Sequence, residues 1–177
     1  MNPKLKQKIK LLESKSLSNE DLMKIVNHKA NLLIYHQLKG YDNIDDVLGP
    51  HKACILLYET SYNYGHWCCI FKRDKDTIEF FDPYGYYPDS ELKWIPKYLR
   101  KNGRYPHLSW LIYHSPYKLI YNDHRLQRSK KDVSTCGRHV GVRLVNRDIP
   151  IDTYAKILLS DKEFDPDFIV TLLTAPI

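Results

Sequence analysis

The chain has 177 residues, 43% hydrophobic and 27% charged, with seven glycines and a formal charge of +6. That is one folded domain of common size with a real core, which excludes a disordered or fibrous polypeptide. No apolar run approaches the ~18 residues of a membrane span, and no signal-peptide stretch follows the basic start Met1 to Lys10, so no membrane partner and an intracellular residence are expected.

In chain order, residues 2–14 read as a basic helical lead-in, possessing enough lysine to be partly mobile. Ser18 followed by Glu20 and Asp21 marks a helix start, and Leu22, Ile25, Val26, Lys29 and Leu33 predict one buried stripe as far as residue 38, with Gly40 as its stop. Ala53 to Tyr58 predicts a buried strand. Trp67 to Lys72 and Thr77 to Phe81 predict a hairpin across Arg73 to Asp76. Asp89 to Lys101 reads as a helix interrupted by Pro96 and closed by Asn102-Gly103, and Pro106 to Tyr113 as another. Tyr117 to Asn122 predicts a last strand, and Arg125 to Ser134 a polar loop. A helix then runs from Cys136, with Val140, Leu144 and Val145 at helical spacing and Gly141 allowing close packing, to a stop at Asp148-Ile149-Pro150. Residues 152–159 and 165–173 predict two short helices. The expected class is α+β: one domain over residues 1–177, with a small, mostly antiparallel sheet against helices.

Four cysteines (Cys54, Cys68, Cys69, Cys136) are too few, in a chain this long, to be required as staples. Free thiols are expected, with adjacent Cys68 and Cys69 on opposite faces of one strand. The +6 charge and a sequence pI near 9.0 suit a polyanion. Basic residues recur among Lys4 to Lys10, Lys97 to Arg104, Arg125 to Lys131, and Arg138, Arg143 and Arg147. Solvated surface explains them equally well; DNA bound without base preference is the functional alternative.

Cysteine, histidine and carboxylate each occur in a context that suits catalysis. Cys136 opens a helix, where unsatisfied N–H groups and the dipole favour thiolate, and Gly137 would let a substrate backbone approach. A buried core thiol is the competing reading, and it suits Cys54 better. His66, in Gly65-His66-Trp67 at a strand entry, would accept the thiol proton; most single histidines are structural, and this chain has eight. Asp82 lies just past the paired strand, at the facing end of the hairpin, and would orient the imidazole. As an Asp before Pro83 it reads equally as a turn residue, with Asn122 at another strand end as the substitute orienter. Gln127 is a candidate oxyanion donor beside the Cys136 amide, although a loop glutamine is ordinarily just solvated. Trp67 would shelter the imidazole or line the substrate channel, or simply pack. No Cys-x-x-Cys pair is present, so a metal centre is not expected. The 14 tyrosines read as packing rather than as base-stacking platforms.

Taken in order, His66-Trp67, Phe81-Asp82-Pro83-Tyr84-Gly85, Leu126-Gln127 and Thr135-Cys136-Gly137 resemble the signature of the adenovirus-type and SUMO-protease-type cysteine peptidases. The match covers residues 53 to about 147 and looks most like maturation proteases of large DNA viruses, virophages and related transposons. The resemblance implies a papain-like (adenovirus-protease-like) fold, with His66 as base, Asp82 as orienter, Cys136 as nucleophile and Gln127 as oxyanion donor. It also implies a polypeptide substrate, namely capsid or core precursors cut after small residues such as Gly, in the virion and host-cell cytoplasm. No cofactor is required; DNA or a short peptide would be an activator, and the enzyme would be a monomer. Gln127 precedes Cys136 by nine residues, where related enzymes often use six or seven. Competing functions are an isopeptidase removing ubiquitin-like modifiers with the same four residues, and a nucleic-acid-binding structural protein that an intact Cys–His–Asp set argues against.

Overall fold

The computed structural model describes residues 1–99 and 106–176. Its centre is a five-stranded sheet of β1 (Asn31–Ile34), β2 (Ala53–Ser61), β3 (Tyr64–Lys72), β4 (Thr77–Phe81) and β5 (Lys118–Tyr121), arranged in that order. β2, β3 and β4 pair antiparallel, as expected. A parallel strand is added at each edge, β1 on β2 and β5 on β4.

Both faces of the sheet are covered, which explains why its strands read as near-continuous apolar runs. On one face Ile55, Leu57, Trp67, Cys69, Phe71 and Phe81 pack against α2 (Asn19–Ile25), α5 (Cys136–Val145), α6 (Ile151–Leu159) and α7 (Pro166–Thr174). On the other, Cys54, Leu56, Tyr58, Cys68, Ile70 and Phe80 meet α3 (Ile44–Leu48), α4 (His107–Tyr113) and the turn of 3-10 helix at Tyr35–Gly40. Cys68 and Cys69 thus lie on opposite faces, and all four thiols are free.

Two expectations for the first forty residues fail. The lead-in is α1 (Pro3–Glu13), docked rather than loose: Ile9 is fully buried, and the Glu13 carbonyl accepts from the Ser134 amide at 2.7 Å. The next helix starts where expected, with Ser18 and Asp21 in a reciprocal capping box, but stops at Ile25 instead of residue 38. Asn27 and His28 adopt positive φ (50° and 55°), which ends the helix. The run Leu32-Leu33-Ile34 then becomes β1, with Leu32 and Ile34 on one face and Leu33 on the other. A short apolar run covered on both sides fits either period, and here pairing with β2 decides.

From residue 89 the chain makes 3-10 turns at Ser90–Trp94 and Lys97–Leu99 around Pro96, not an α-helix. Its expected close at Asn102-Gly103, and the basic residues 100–104, lie outside the described residues.

Helix α5 is buried from Gly137 to Leu144 and is the axis of the helical layer. At Gly141 a Cβ would come within 2.7 Å of Ile25 Cγ2, so only glycine lets α2 and α5 approach this closely. Being buried all round, α5 must supply partners for its polar residues. Arg143 makes a two-pronged pair with Glu79 on β4 (2.8 and 2.9 Å), and Arg138 donates to Thr174 Oγ1 at 2.7 Å. These arginines, expected among the basic surface groups, are internal.

Candidate active site

His66 sits near the start of β3, and its Nε2 lies 2.9 Å from Asp82 Oδ1. Asp82 follows the end of β4, is fully buried, and accepts the Tyr84 amide on the same oxygen at 2.7 Å. This is an Asx-type turn, so one carboxylate fixes both the imidazole and the bend through Pro83. Asn122 is not a substitute orienter: its amide donates to the Asp82 backbone carbonyl at 2.6 Å and braces the turn from below. The Tyr84 ring stacks on the imidazole, with centroids 4.6 Å apart and planes 15° from parallel.

Cys136 is the first residue of α5 and lines the same cleft as His66. With Nε2 held by Asp82, the remaining ring nitrogen is the one available to a thiol. Burial alone would depress the His66 pKa; the Asp82 carboxylate, by its charge and its hydrogen bond, outweighs it and holds the imidazole above its ordinary range. Cys68 also neighbours this ring. Burial pushes its thiol far up, Asp82 adds to that, and it remains protonated. Cys136, half-exposed, lines the cleft, whereas Cys68 is sealed beneath it. Of the two thiols beside the imidazole, only Cys136 is placed to meet a substrate.

The cleft has a volume of about 570 Å³ and is walled by Trp67, Tyr84, Tyr86 and Trp94, with Gln127 and Cys136 on one side. Gln127 is only 2% exposed, and its backbone amide donates to the Pro83 carbonyl at 2.9 Å. The nine-residue spacing is therefore absorbed: the loop brings Gln127 back to the turn that carries Asp82, while its other end delivers Cys136. Gly137 does not line the cleft. A Cβ there would meet Trp67 at 3.3 Å and Leu17 at 3.4 Å, so this glycine seats α5 on Trp67 rather than admitting substrate.

Three side chains of this neighbourhood carried no readable signal as site residues. Tyr84 was visible only as part of a turn. Glu91 lines the cleft at 6% exposure; burial raises its pKa, and its Oε1 has no hydrogen-bond partner among the described residues. Asp167, in the first turn of α7, is fully buried and binds Thr135, His139 and Arg128; burial would raise its pKa, but those donors bring it down to about 2. Arg128, expected to be a free basic residue of the loop, is committed to Asp167 and Glu13.

Among the described residues, two groups of side chains could be read as metal ligands, His66–Cys68–Asp82 and the surface set Asp123–His124–Asp152. In the first, His66 Nε2 bonds Asp82 Oδ1 at 2.9 Å, Asp82 Oδ2 is buried without a hydrogen-bond partner among the described residues, and burial keeps the Cys68 thiol protonated. In the second, His124 Nε2 bonds Asp152 at 3.1 Å.

No protein-family model matches the chain. It is 43% identical over 173 residues to the "Uncharacterized protein V9" of Sputnik virophage, an alignment spanning 95% of this chain and 99% of that relative. Among solved structures it is similar to the SUMO protease Ulp1 with its catalytic cysteine oxidised to a sulfinic acid. That superposition covers 99% of this chain and 96% of the other at 16% identity and a TM-score of 0.41, too distant to define a fold.

Proposed function

The chain belongs to the same family as the V9 protein of Sputnik virophage, and from its cleft we propose that it is a cysteine endopeptidase. One observation carries the reading: a partly exposed thiol at a helix start lines the same cleft as an imidazole that lies 2.9 Å from a buried carboxylate. Residues 1–177 would form one peptidase domain of the papain-like, adenovirus-protease-like kind.

In this reading Cys136 Sγ attacks the scissile carbonyl and its proton rests on His66. Asp82 holds the ring in orientation and stabilises the imidazolium. The carbonyl oxygen becomes an oxyanion, met by the Gln127 side-chain amide and the Cys136 backbone N–H. Collapse to the thioester breaks the C–N bond, and the imidazolium returns its proton to the leaving amine. Water, deprotonated by the same imidazole, then hydrolyses the thioester and frees Cys136.

The viral source of the relative makes capsid or core precursors the substrates we favour, with cleavage after small residues inside the aromatic walls. The working places would be the virion and the host-cell cytoplasm; among the described residues no helix is long and apolar enough to cross a membrane. Short Gly-containing peptides, a ubiquitin-like fusion and an acyl probe are the deciding substrates. We expect peptide cleavage and labelling at Cys136, both lost in Cys136→Ala with the fold intact, and lost to the same degree in His66→Ala because the two act as a unit. Labelling that persists in Cys136→Ala and disappears in Cys68→Ala would overturn the assignment. Cleavage of the fusion alone would make the enzyme an isopeptidase.

A further inference from the structure

Asp167 gathers both halves of the proposed active site onto one carboxylate. Its Oδ2 accepts the Arg128 backbone amide and Arg128 Nε, each at 2.9 Å. Its Oδ1 accepts the Thr135 hydroxyl and His139 Nε2, the latter at 3.0 Å. Arg128 is the residue after Gln127, and Thr135 is the residue before Cys136. The chain between them is polar, without regular structure, and nine residues span oxyanion donor to nucleophile. Without a fixed post the two ends of such a loop would vary in separation by more than acyl transfer tolerates.

A second observation points the same way. Threonine at a helix N-cap ordinarily turns its oxygen to the free amides of the first turn. Thr135 makes no such cap bond; its hydroxyl is donated to Asp167 instead. The Thr135 side chain therefore leaves the first amides of α5 uncapped, as an oxyanion site requires.

We propose that Asp167 is a positioning residue that sets Gln127 against Cys136, acting through Arg128 on one arm and Thr135 on the other. This rests on the peptidase reading above. An asparagine in its place keeps the shape but offers one acceptor oxygen where four donors converge, and it turns an N–H₂ toward donors. The arms are read separately. Acyl transfer builds an oxyanion and reports both; alkylation of Cys136 by iodoacetamide builds none and reports only the thiol.

The experiment compares acyl turnover per titrated active site, and the alkylation rate, in wild type, Asp167→Asn, Gln127→Ala and the double variant. We expect Asp167→Asn to lose about 10–100-fold in turnover beyond whatever it loses in alkylation, the scale of a misplaced catalytic group. In the Gln127→Ala background that excess should vanish, because the group it positions is gone. An excess that persists there, or a variant with lowered Tm but wild-type turnover per site, overturns the proposal. Should Asp167→Asn not fold, Thr135→Val and Thr135→Ser take its place: the valine should slow Cys136 alkylation and the serine should not, and equal rates overturn the Cys136 arm. A wild type that alkylates but cleaves nothing defeats the peptidase reading, while the alkylation comparison still decides whether Asp167 holds the thiol.

Discussion

At the scale of single residues, the pH dependence of the site follows from what surrounds His66. Burial opposes its charge, yet the Asp82 carboxylate carries the pKa above 6.5. The imidazolium therefore persists through neutral pH and is lost only as pH rises through that elevated value. Turnover that uses this imidazolium should hold across neutrality and fall on a basic limb set by His66. Asp82→Asn removes a raising charge while burial remains, so the limb should move to lower pH and turnover should fall with little change in KM. A kcat–pH profile measured for both proteins checks this. An unmoved limb at wild-type turnover would remove Asp82 from the site. Cys68 sharpens the point: two residues beyond His66 on the same strand, it shares the imidazole's face, so period-2 alternation puts that thiol and not Cys69 beside the ring.

At the scale of elements, Cys136 shares a cleft with the imidazole because α5 is fixed to the hairpin that carries His66 and Asp82. The fixing is apolar packing with one buried ion pair set in it. Arg143 on α5 grips Glu79 on β4 with both partners fully buried, and its guanidinium lies over Phe71 and Tyr154 at 5.3 and 4.8 Å from their centroids. Arg143→Met would leave the buried Glu79 carboxylate with Arg73 Nη1 at 3.4 Å in place of a two-pronged partner, and an unfolding loss of about 3 kcal/mol is expected by denaturant titration. Adding Glu79→Leu should recover most of it, because the under-paired charge and not the missing attraction is what destabilises. A double variant as weak as the single one would mean that packing around the guanidinium dominates. These contacts also mark the limit of what was legible beforehand. The hairpin, the helix starting at Cys136 and the order His66, Asp82, Gln127, Cys136 were readable because period and turn chemistry are local. The Glu79–Arg143 pair and the fourfold ligation of Asp167 are not, since their partners stand 64 and between 28 and 39 residues apart. Arg138, Arg143 and Arg128 consequently looked like surface charge. The break after Ile25 escaped because Leu32 and Leu33 suit a helix as well as a strand buried on both faces.

At the scale of the whole molecule, the burial of those arginines changes what the +6 charge can do. Arg143 is neutralised by Glu79, and Arg128 by Glu13 and Asp167, so neither is available to a phosphate. The basic residues of the loop that remain exposed are Arg125, Lys130 and Lys131. Duplex DNA bound by those three should show no base preference, and log Kd should change with log salt with a slope of magnitude about 3. An Arg125→Ala, Lys130→Ala, Lys131→Ala variant should remove that salt dependence while leaving peptide cleavage alone. Activation is a separate matter. A polyanion would accelerate the enzyme by ordering the Gln127 loop, but that loop is already tied at both ends, through Pro83 and Asp167 at one and through Glu13 and Asp167 at the other. Little order is left to add, so DNA should change the cleavage rate by less than about tenfold, a barrier change under about 1.4 kcal/mol. The assay compares peptide cleavage with and without duplex DNA, at low and at physiological salt. A larger acceleration at low salt, abolished by the triple variant, would show that the loop is loose in solution and that DNA, not Asp167 alone, brings Gln127 to the nucleophile.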